Sequence, residues 1–179
     1  MAYTGVKRAM MCGITGTPGT GKSTVADELA RRGHQVVHIS DVVQPYVQGK
    51  DPERDTQIID TDRMVDEFVP FDGFVEGHFA HLLPCDRIVV LRLRPDKLAA
   101  RLAARGYSPD KIGENRDAEA LDVCLIETVE QYEPGEVFEL DTTGMSPAGC
   151  ADTIEQFYRR DIPASFGKID WSAYAGVSP

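Results

Sequence analysis

Residues 16–23 read GTPGTGKS, in which three glycines precede a lysine and a serine at a fixed spacing. This spacing is typical of a phosphate-binding loop, because glycines let the backbone wrap around phosphate oxygens and turn its N–H groups inward. Lys22 would contact the outer phosphates, and Ser23 would offer its hydroxyl to Mg²⁺. The nucleotide-binding residues expected from this motif are Gly19, Thr20, Gly21, Lys22, Ser23 and Thr24.

A carboxylate and an imidazole stand close together in DGFVEGHFAHLLP, residues 72–84. Glu76 ends a short apolar run, so we expect it at the carboxyl end of a buried strand, beside the phosphate loop. There it would orient the Mg²⁺ shell or hold an attacking water, and His78 would accept or relay a proton. The alternatives are a strand-capping glutamate and a surface histidine. Asp60, which ends QIID, is the rival magnesium acid, and His81 fits a turn residue at least as well.

Strands and helices alternate along the chain, and this order predicts what positions these side chains. Apolar runs predict strands at 9–15, 34–39, 73–77, 87–93 and 136–140, and amphipathic patterns predict helices at 22–32, 63–69, 95–105, 114–131 and 146–160. The alternation indicates an α/β fold with a parallel sheet covered by helices on both faces. We expect a loop or short helix at 40–56, a turn-rich excursion at 106–113 and a loosely held tail at 161–179. Leu121, Cys124, Leu125 and Val129 should form the buried stripe of the helix at 114–131.

Length and composition limit the function classes. The 179 residues, 42% of them hydrophobic, suit one compact domain, and no apolar run is long enough to span a membrane. Four widely spaced cysteines without a CxxC pair argue against a zinc site or a disulfide scaffold and fit a reducing cytoplasm. The net charge of −10 disfavours direct binding to nucleic acid and would suit a basic protein partner. Solubility or adaptation to a salty cytoplasm is the alternative explanation of this charge.

Four longer stretches of sequence narrow the range of reactions that the chain could catalyse. GTPGTGKST, VEGHFAHLLPCD, VVLRLRPDKL and RGYSPDKIGENRDAEALDV occur in this order and together resemble the adenylate kinase isoenzyme 6 family in its archaeal form, over residues 10–160. The resemblance implies a P-loop nucleoside monophosphate kinase fold, with a five-stranded parallel sheet in the order 2-3-1-4-5 and a short lid. It also implies a cytoplasmic kinase of broad specificity that uses ATP with Mg²⁺, accepts AMP and hydrolyses ATP. A role in late small ribosomal subunit maturation, through transient binding of ribosomal protein uS11, is implied as well.

The resemblance assigns roles residue by residue. Lys22, Glu76 and His78 would be catalytic, and Ser23 and Glu76 would serve the metal ion. Glu76 and His78 match the family's acid-x-His pair, with glutamate where other members have aspartate. Arg105 matches the lid arginine that contacts ATP. The monophosphate-binding segment would cover residues 39–62, and the lid residues 104–114, within a single domain of residues 1–179.

This chain departs from ordinary adenylate kinases at two places. Those enzymes carry Asp-Gly-Phe-Pro-Arg after the third strand, whereas this chain has EGHFAH, and its monophosphate segment offers only Lys50 and Arg54 as cations. An assembly ATPase, or a shikimate- or nucleoside-type kinase without a ribosomal role, therefore stays open as an alternative. A GTPase is disfavoured, since residues 139–146 lack an Asn-Lys-x-Asp sequence. One of Arg92 and Arg94 could face the site, and Arg116 could be a solvated charge.

Overall fold

Five parallel strands form the central sheet of the protein, in a computed structural model that describes residues 9–52 and 56–176. The strands of the described chain are β1 (Met11–Thr15), β2 (Val36–His38), β3 (Val47–Asp51), β4 (Thr56–Ile59), β5 (Gly73–Glu76), β6 (Arg87–Arg92) and β7 (Val137–Asp141). The sheet runs β2-β5-β1-β6-β7, which is the predicted order 2-3-1-4-5 when only its own strands are numbered. The predicted parallel sheet is thereby confirmed. Arg54 lies outside the described residues.

Helices cover both faces of this sheet, as predicted. The α-helices of the described residues are α1 (Lys22–Arg31), α2 (Ile39–Val42), α3 (Thr61–Glu67), α4 (Pro95–Ala104), α5 (Pro109–Ala120), α6 (Val123–Gln131) and α7 (Pro147–Tyr158). Side chains alternate across the strands, so Cys12 and Ile14 of β1 pack with α1 and α7 while Met11 packs with α3 on the opposite side. None of the described helices is long and apolar enough to cross a bilayer.

The segment after β2 differs from the expected loop or short helix. The chain continues into α2 and a single 3₁₀ turn at Gln44–Tyr46, and β3 and β4 then form a separate antiparallel hairpin. Most side chains of both strands are exposed, so no apolar alternation marks them in the sequence. The hairpin therefore belongs to the segment predicted to bind the monophosphate, but not to the central sheet.

The predicted helix at 114–131 is two helices in the structure. The first, α5, already begins at Pro109, because Ser108 caps its N-terminus and proline suits its first turn. The chain then breaks at Asp122, whose φ of 58° is left-handed. Leu121, expected in the buried stripe, is 53% exposed, whereas Cys124 and Leu125 are buried. Helical periodicity persists across the break and so hides it in the sequence.

The tail also differs from the expectation of a loosely held segment, over the part that the structure describes. Ser165 pairs with β7, since its carbonyl accepts from the Glu139 N–H at 2.8 Å and its own N–H donates to Val137 at 3.2 Å. Phe166 packs beside Val137 in the apolar cluster under α6. The proline-, glycine- and serine-rich composition predicted disorder, but β7 is an edge strand whose free backbone groups accept the tail.

Arg92 stands at the centre of a buried ion-pair network. Its Nε donates to Glu119 at 2.9 Å, and its other guanidinium nitrogens bond Asp122 and Glu139. Trp171 of the tail lies over the guanidinium, 5.0 Å from ring centroid to Cζ. The arginine therefore joins β6, β7, α5 and the tail and does not face the phosphate loop.

Arg94, the other arginine considered from the sequence, takes no part in this network. It pairs with Asp96 at 2.6 Å near the protein surface. Its backbone N–H donates to the Thr143 hydroxyl at 3.0 Å. The expectation that one arginine of this pair could face the phosphates is therefore wrong. Arg92 is enclosed by carboxylates, and the guanidinium of Arg94 pairs with Asp96 in the first turn of α4.

We predict that replacing Arg92 with Met destabilises the fold strongly. The change leaves the carboxylates of Glu119 and Glu139 buried without their cation, which costs about 3–5 kcal/mol. Urea unfolding followed by circular dichroism measures the loss. The matched control is Arg94→Met, which breaks a partly exposed pair and should change stability far less. Equal losses in the two variants would contradict the network.

Candidate active site

The phosphate loop, residues 16–23, wraps tightly between β1 and α1. Gly16 and Gly19 have φ angles of 142° and 97°, and a Cβ atom at Gly16 would meet the Leu91 carbonyl at 2.5 Å. Side chains are therefore excluded where the backbone must turn. Because α1 begins at Lys22, its first N–H groups have no partner within the helix and can bind anions.

Lys22 folds back across the loop. Its ammonium donates to the carbonyls of Gly16 at 2.8 Å and Thr17 at 3.1 Å. Burial lowers the pKa of Lys22 from its ordinary value, while the nearby Glu76 and Glu119 carboxylates act in the opposite direction. The cation is thus held over the concave side of the loop, where phosphate oxygens would replace the two carbonyls.

Neighbouring side chains brace the loop from outside. Thr17 donates its hydroxyl to the buried Glu119 carboxylate, and Thr20 turns its hydroxyl back to the Thr17 carbonyl at 2.9 Å. Arg101 of α4 donates to the Gly19 carbonyl at 3.3 Å. Thr20, predicted to bind nucleotide, therefore offers only its backbone. The bracing fixes the loop geometry before any ligand binds.

Glu76 lies where the sequence placed it, at the carboxyl end of β5 beside the phosphate loop. It is 4% exposed, and its register neighbours are Ile14 of β1 and His38 of β2. The Ser23 hydroxyl donates to Glu76 Oε1 at 3.3 Å, and His38 Nδ1 lies 2.7 Å from the same oxygen. The two candidate metal residues are therefore adjacent, and a histidine not predicted from the sequence joins them.

His78 lies on the other side of the loop entrance. Its Nδ1 is 3.4 Å from the Gly16 carbonyl. The pKa of His78 is lowered, first by partial desolvation of its ring and then by the nearby Lys22 ammonium. The lowered pKa favours the neutral imidazole, which is the form that can accept a proton.

His81, left as a turn residue, is buried behind the site. Its Nδ1 is 3.0 Å from the Thr15 hydroxyl, and its Nε2 is 3.4 Å from Glu127. The pKa of His81 is lowered to about 4, mainly by desolvation of its ring and also by the neighbouring His78. Thr15 also donates to the His78 carbonyl at 3.1 Å. His81 thus supports the backbone that carries His78, and it does not line the loop.

A cleft of about 390 Å³ opens on the far side of the loop. Thr24 and Arg105, both predicted to bind nucleotide, line it together with Thr20, Gly21 and Arg101. Arg105 follows α4 at the start of the predicted lid and is exposed. Because Thr20 and Gly21 belong to the loop, the cleft adjoins it, and its volume lies within the range of small-molecule sites.

Three other candidates lie elsewhere. Asp60 caps α3 by accepting the Arg63 N–H at 3.1 Å and also accepts from Gln48 at 2.9 Å. It follows the hairpin strand β4 and so does not end a strand of the central sheet, which makes the rival magnesium assignment wrong. Arg116 pairs with Asp117 and is mostly buried, not solvated. Lys50 belongs to the hairpin strand β3.

Sequence reasoning missed three residues of the site. Arg101 belongs to no motif, and Glu119 lies within the stretch RGYSPDKIGENRDAEALDV without any feature that singles it out. Only the folded chain brings the two residues to the loop. His38 could have been found, because it ends the second predicted strand, and neighbouring parallel strands end at one edge of the sheet.

Comparison with known proteins identifies the family. A family model described as an AAA domain matches residues 12–122. Proteins named "Putative adenylate kinase" from Archaeoglobus fulgidus and Pyrococcus furiosus are each 40% identical, over 166 and 175 residues. These matches cover 90% and 95% of this chain, and 92% and 96% of the relatives. The chain belongs to this adenylate kinase family. The family resemblance seen in the motifs is confirmed.

The fold agrees with solved structures of low sequence identity. Shikimate kinase from Acinetobacter baumannii, solved with shikimate, superposes with a TM-score of 0.60 at 13% identity, covering 86% of this chain and 95% of that one. An uncharacterized protein from Eubacterium ventriosum gives a TM-score of 0.54 at 10% identity, covering 84% and 98%. These structural similarities confirm that this member of the adenylate kinase family has the P-loop kinase fold.

The residues present fit ATP with Mg²⁺. The loop is a glycine cradle that a Cβ would fill, and Ser23 and Glu76 supply the hard oxygen atoms that Mg²⁺ prefers. No group of three or more His, Cys, Asp or Glu side chains in the described chain could hold a metal ion. Magnesium would therefore be bound mainly by phosphate oxygens and water, with Ser23 in contact and Glu76 orienting the shell.

We predict that Glu76→Gln lowers turnover on the order of 10²-fold while changing ATP affinity much less. The amide keeps the size of the side chain but removes the charge that orders the metal shell. Steady-state assays of ADP release, with calorimetry for ATP affinity, measure both quantities. Asp60→Asn is the matched control, since it removes a carboxylate that caps α3, and both variants are compared with water as the acceptor because Asp60 lies in the predicted monophosphate segment. The assignment fails if Asp60→Asn is the more damaging change.

Proposed function

We propose that this chain is an ATP-dependent nucleoside monophosphate kinase of broad specificity, with AMP as its expected acceptor and with ATPase activity. The observation that carries the proposal is the contact between Ser23 of the phosphate loop and the buried Glu76 carboxylate, 3.3 Å apart. The names of the archaeal relatives support the same reaction class.

The site divides into two sides around this contact. On one side, Lys22 and the N-terminus of α1 would bind the phosphates of ATP, and Arg105 would lie over the cleft that takes the nucleoside. On the other side, β2 leads into the segment 39–62, which would present the monophosphate. Glu76 and His78 stand between the two sides. Binding both phosphates in this geometry supplies most of the catalysis, since phosphoryl transfer depends on positioning and charge stabilisation.

The ATPase activity follows from how open the site is. The predicted lid, residues 104–114, consists of the connection Arg105–Ser108 and the start of α5, and residues 103–110 are exposed. A lid of this size excludes water poorly, so water can compete with the acceptor. The lowered pKa of His78 favours the neutral imidazole, which lies close to the loop and is suited to take the proton of an attacking water.

The proposal also includes a role in the late maturation of the small ribosomal subunit. The charge of −10 favours attraction of a basic protein surface and disfavours sequence-specific contact with nucleic acid. Ribosomal protein uS11, implied by the family resemblance, is the proposed partner. Hydrolysis can drive its release only if the partner binds the ATP-bound and ADP-bound states with different affinities.

We predict that ADP release by the purified chain with ATP and Mg²⁺ is fastest with AMP, slower with other nucleoside monophosphates and measurable with water alone. Shikimate and nucleosides should give no rate above that with water. The measurement is a coupled assay of ADP, with the phosphorylated product identified by chromatography. Phosphorylation of shikimate, or of a nucleoside in preference to AMP, would overturn the proposal.

We predict that the chain binds purified uS11 at low salt, more weakly at moderate salt, and that ATP with Mg²⁺ releases it. His78→Ala should bind both uS11 and ATP but release uS11 slowly, because hydrolysis is impaired while the acidic surface is unchanged. Lys22→Ala is the control that should bind uS11 regardless of ATP. Calorimetry and pull-down measure these affinities. No binding at either salt concentration would leave only the metabolic kinase.

A further inference from the structure

His38 closes a ring of polar contacts around the candidate metal site. It ends β2, beside Glu76 of β5 in the register of the sheet. Its Nδ1 lies 2.7 Å from Glu76 Oε1, and its Nε2 lies 3.5 Å from Asp27 Oδ1. Asp27 and Ser23 stand one turn apart on α1, so both ends of the ring return to the helix that follows the phosphate loop.

The ring has one strong and one weak contact at Glu76. Both Ser23 and His38 bond the same carboxylate oxygen, but the Ser23 contact is 3.3 Å and the His38 contact is 2.7 Å. The short contact therefore determines where the carboxylate lies. The long one leaves the Ser23 hydroxyl able to turn away toward a ligand in the loop.

The length of the Glu76 side chain explains why a partner is needed to hold its carboxylate in place. This side chain has one more rotatable bond than aspartate, so the carboxylate can occupy more positions at the same strand end. Glu76 is buried, whereas His38 is 24% exposed and reaches it from the neighbouring strand. The exposed flank of the ring carries Asp27, which is 67% exposed and contacts the second ring nitrogen.

We propose that His38 is a positioning residue, which holds the Glu76 carboxylate in the orientation that phosphoryl transfer requires. The inference rests on the proposed function, because Glu76 matters only if the loop binds ATP with Mg²⁺. His38 itself contacts no reacting atom. Groups that orient metal-site residues in this way typically contribute about 10- to 100-fold to metal affinity or activity.

Two substitutions of His38 separate positioning from packing. In His38→Asn the amide nitrogen takes the place of Nδ1 and keeps the hydrogen bond to Glu76. In His38→Gln the amide reaches the place of Nε2, so it keeps the contact with Asp27 and loses the one with Glu76. We expect His38→Gln to lose about 10- to 100-fold in kcat and to need more Mg²⁺ for half-maximal rate, with little change in KM for ATP. His38→Asn should retain most of the activity.

The matched control is His34→Asn, because His34 contacts its glutamate through Nε2, the nitrogen that asparagine does not replace. His34 precedes β2, has a similar exposure of 22%, and lies 2.6 Å from Glu155 of α7, away from the phosphate loop. Breaking this histidine–glutamate pair should leave kcat and the Mg²⁺ requirement unchanged. Urea unfolding of all three variants shows whether any loss of activity reflects loss of the fold.

The outcomes distinguish a failure of the positioning role of His38 from a failure of the proposed kinase function. An active wild type in which His38→Gln matches His38→Asn or His34→Asn overturns the positioning role and leaves the kinase proposal standing. An inactive wild type overturns the proposed function. In that case calorimetry still tests the inference. It measures how much Mg²⁺ increases the affinity of each variant for a non-hydrolysable ATP analogue. The gain should be smaller in His38→Gln than in His38→Asn, and an equal gain in both overturns it.

Discussion

The buried guanidinium of Arg92 is the interaction on which the arrangement of the site depends. It is 1% exposed and neutralises carboxylates from α5 and β7, while Trp171 of the tail covers it. Glu119 shares its carboxylate between this arginine and Thr17 of the phosphate loop. The helix α5, which begins within the predicted lid, is therefore tied to the loop through the buried Glu119 carboxylate. A buried charge network of this kind specifies one arrangement of its partners, since every alternative leaves a charge unpaired.

The second constraint is the common end of parallel strands. The register of β2, β5 and β1 brings His38, Glu76 and the phosphate loop to one edge of the sheet. Lys22 and Arg101 donate to carbonyls of the loop, and the Glu76 carboxylate lies beside Ser23 and near Lys22. This arrangement suits a triphosphate whose oxygens would contact Lys22 and whose metal ion would face Glu76. The Glu76 carboxylate at this edge contacts a histidine that ends the neighbouring strand.

Much of the central sheet could be predicted from the sequence, because strands buried on both faces are continuous apolar runs and the loop glycines have a fixed spacing. The hairpin β3–β4 could not, since its side chains are exposed and carry no periodic signal. The break at Asp122 and the packed tail depend on Arg92, whose partners are distant in sequence. Within the site, Glu76 and Ser23 lie side by side as expected, whereas the contacts of Asp60 and Arg92 required the folded chain.

The most direct test of a two-sided site is hydrogen exchange with di(adenosine) pentaphosphate, a bisubstrate analogue that spans a donor and an acceptor site. If Glu76 stands between them, one analogue per chain should slow amide exchange in residues 16–31, where the loop enters α1, and in the segment 39–62 after β2. Exchange at the C-terminal end of α7, where Tyr158 contacts Met10 before β1, should change little, because only the other end of this helix lines the cleft. Slowing confined to residues 16–31, with the segment 39–62 unaffected, would contradict the account, because the phosphate loop would then have no acceptor site opposite it.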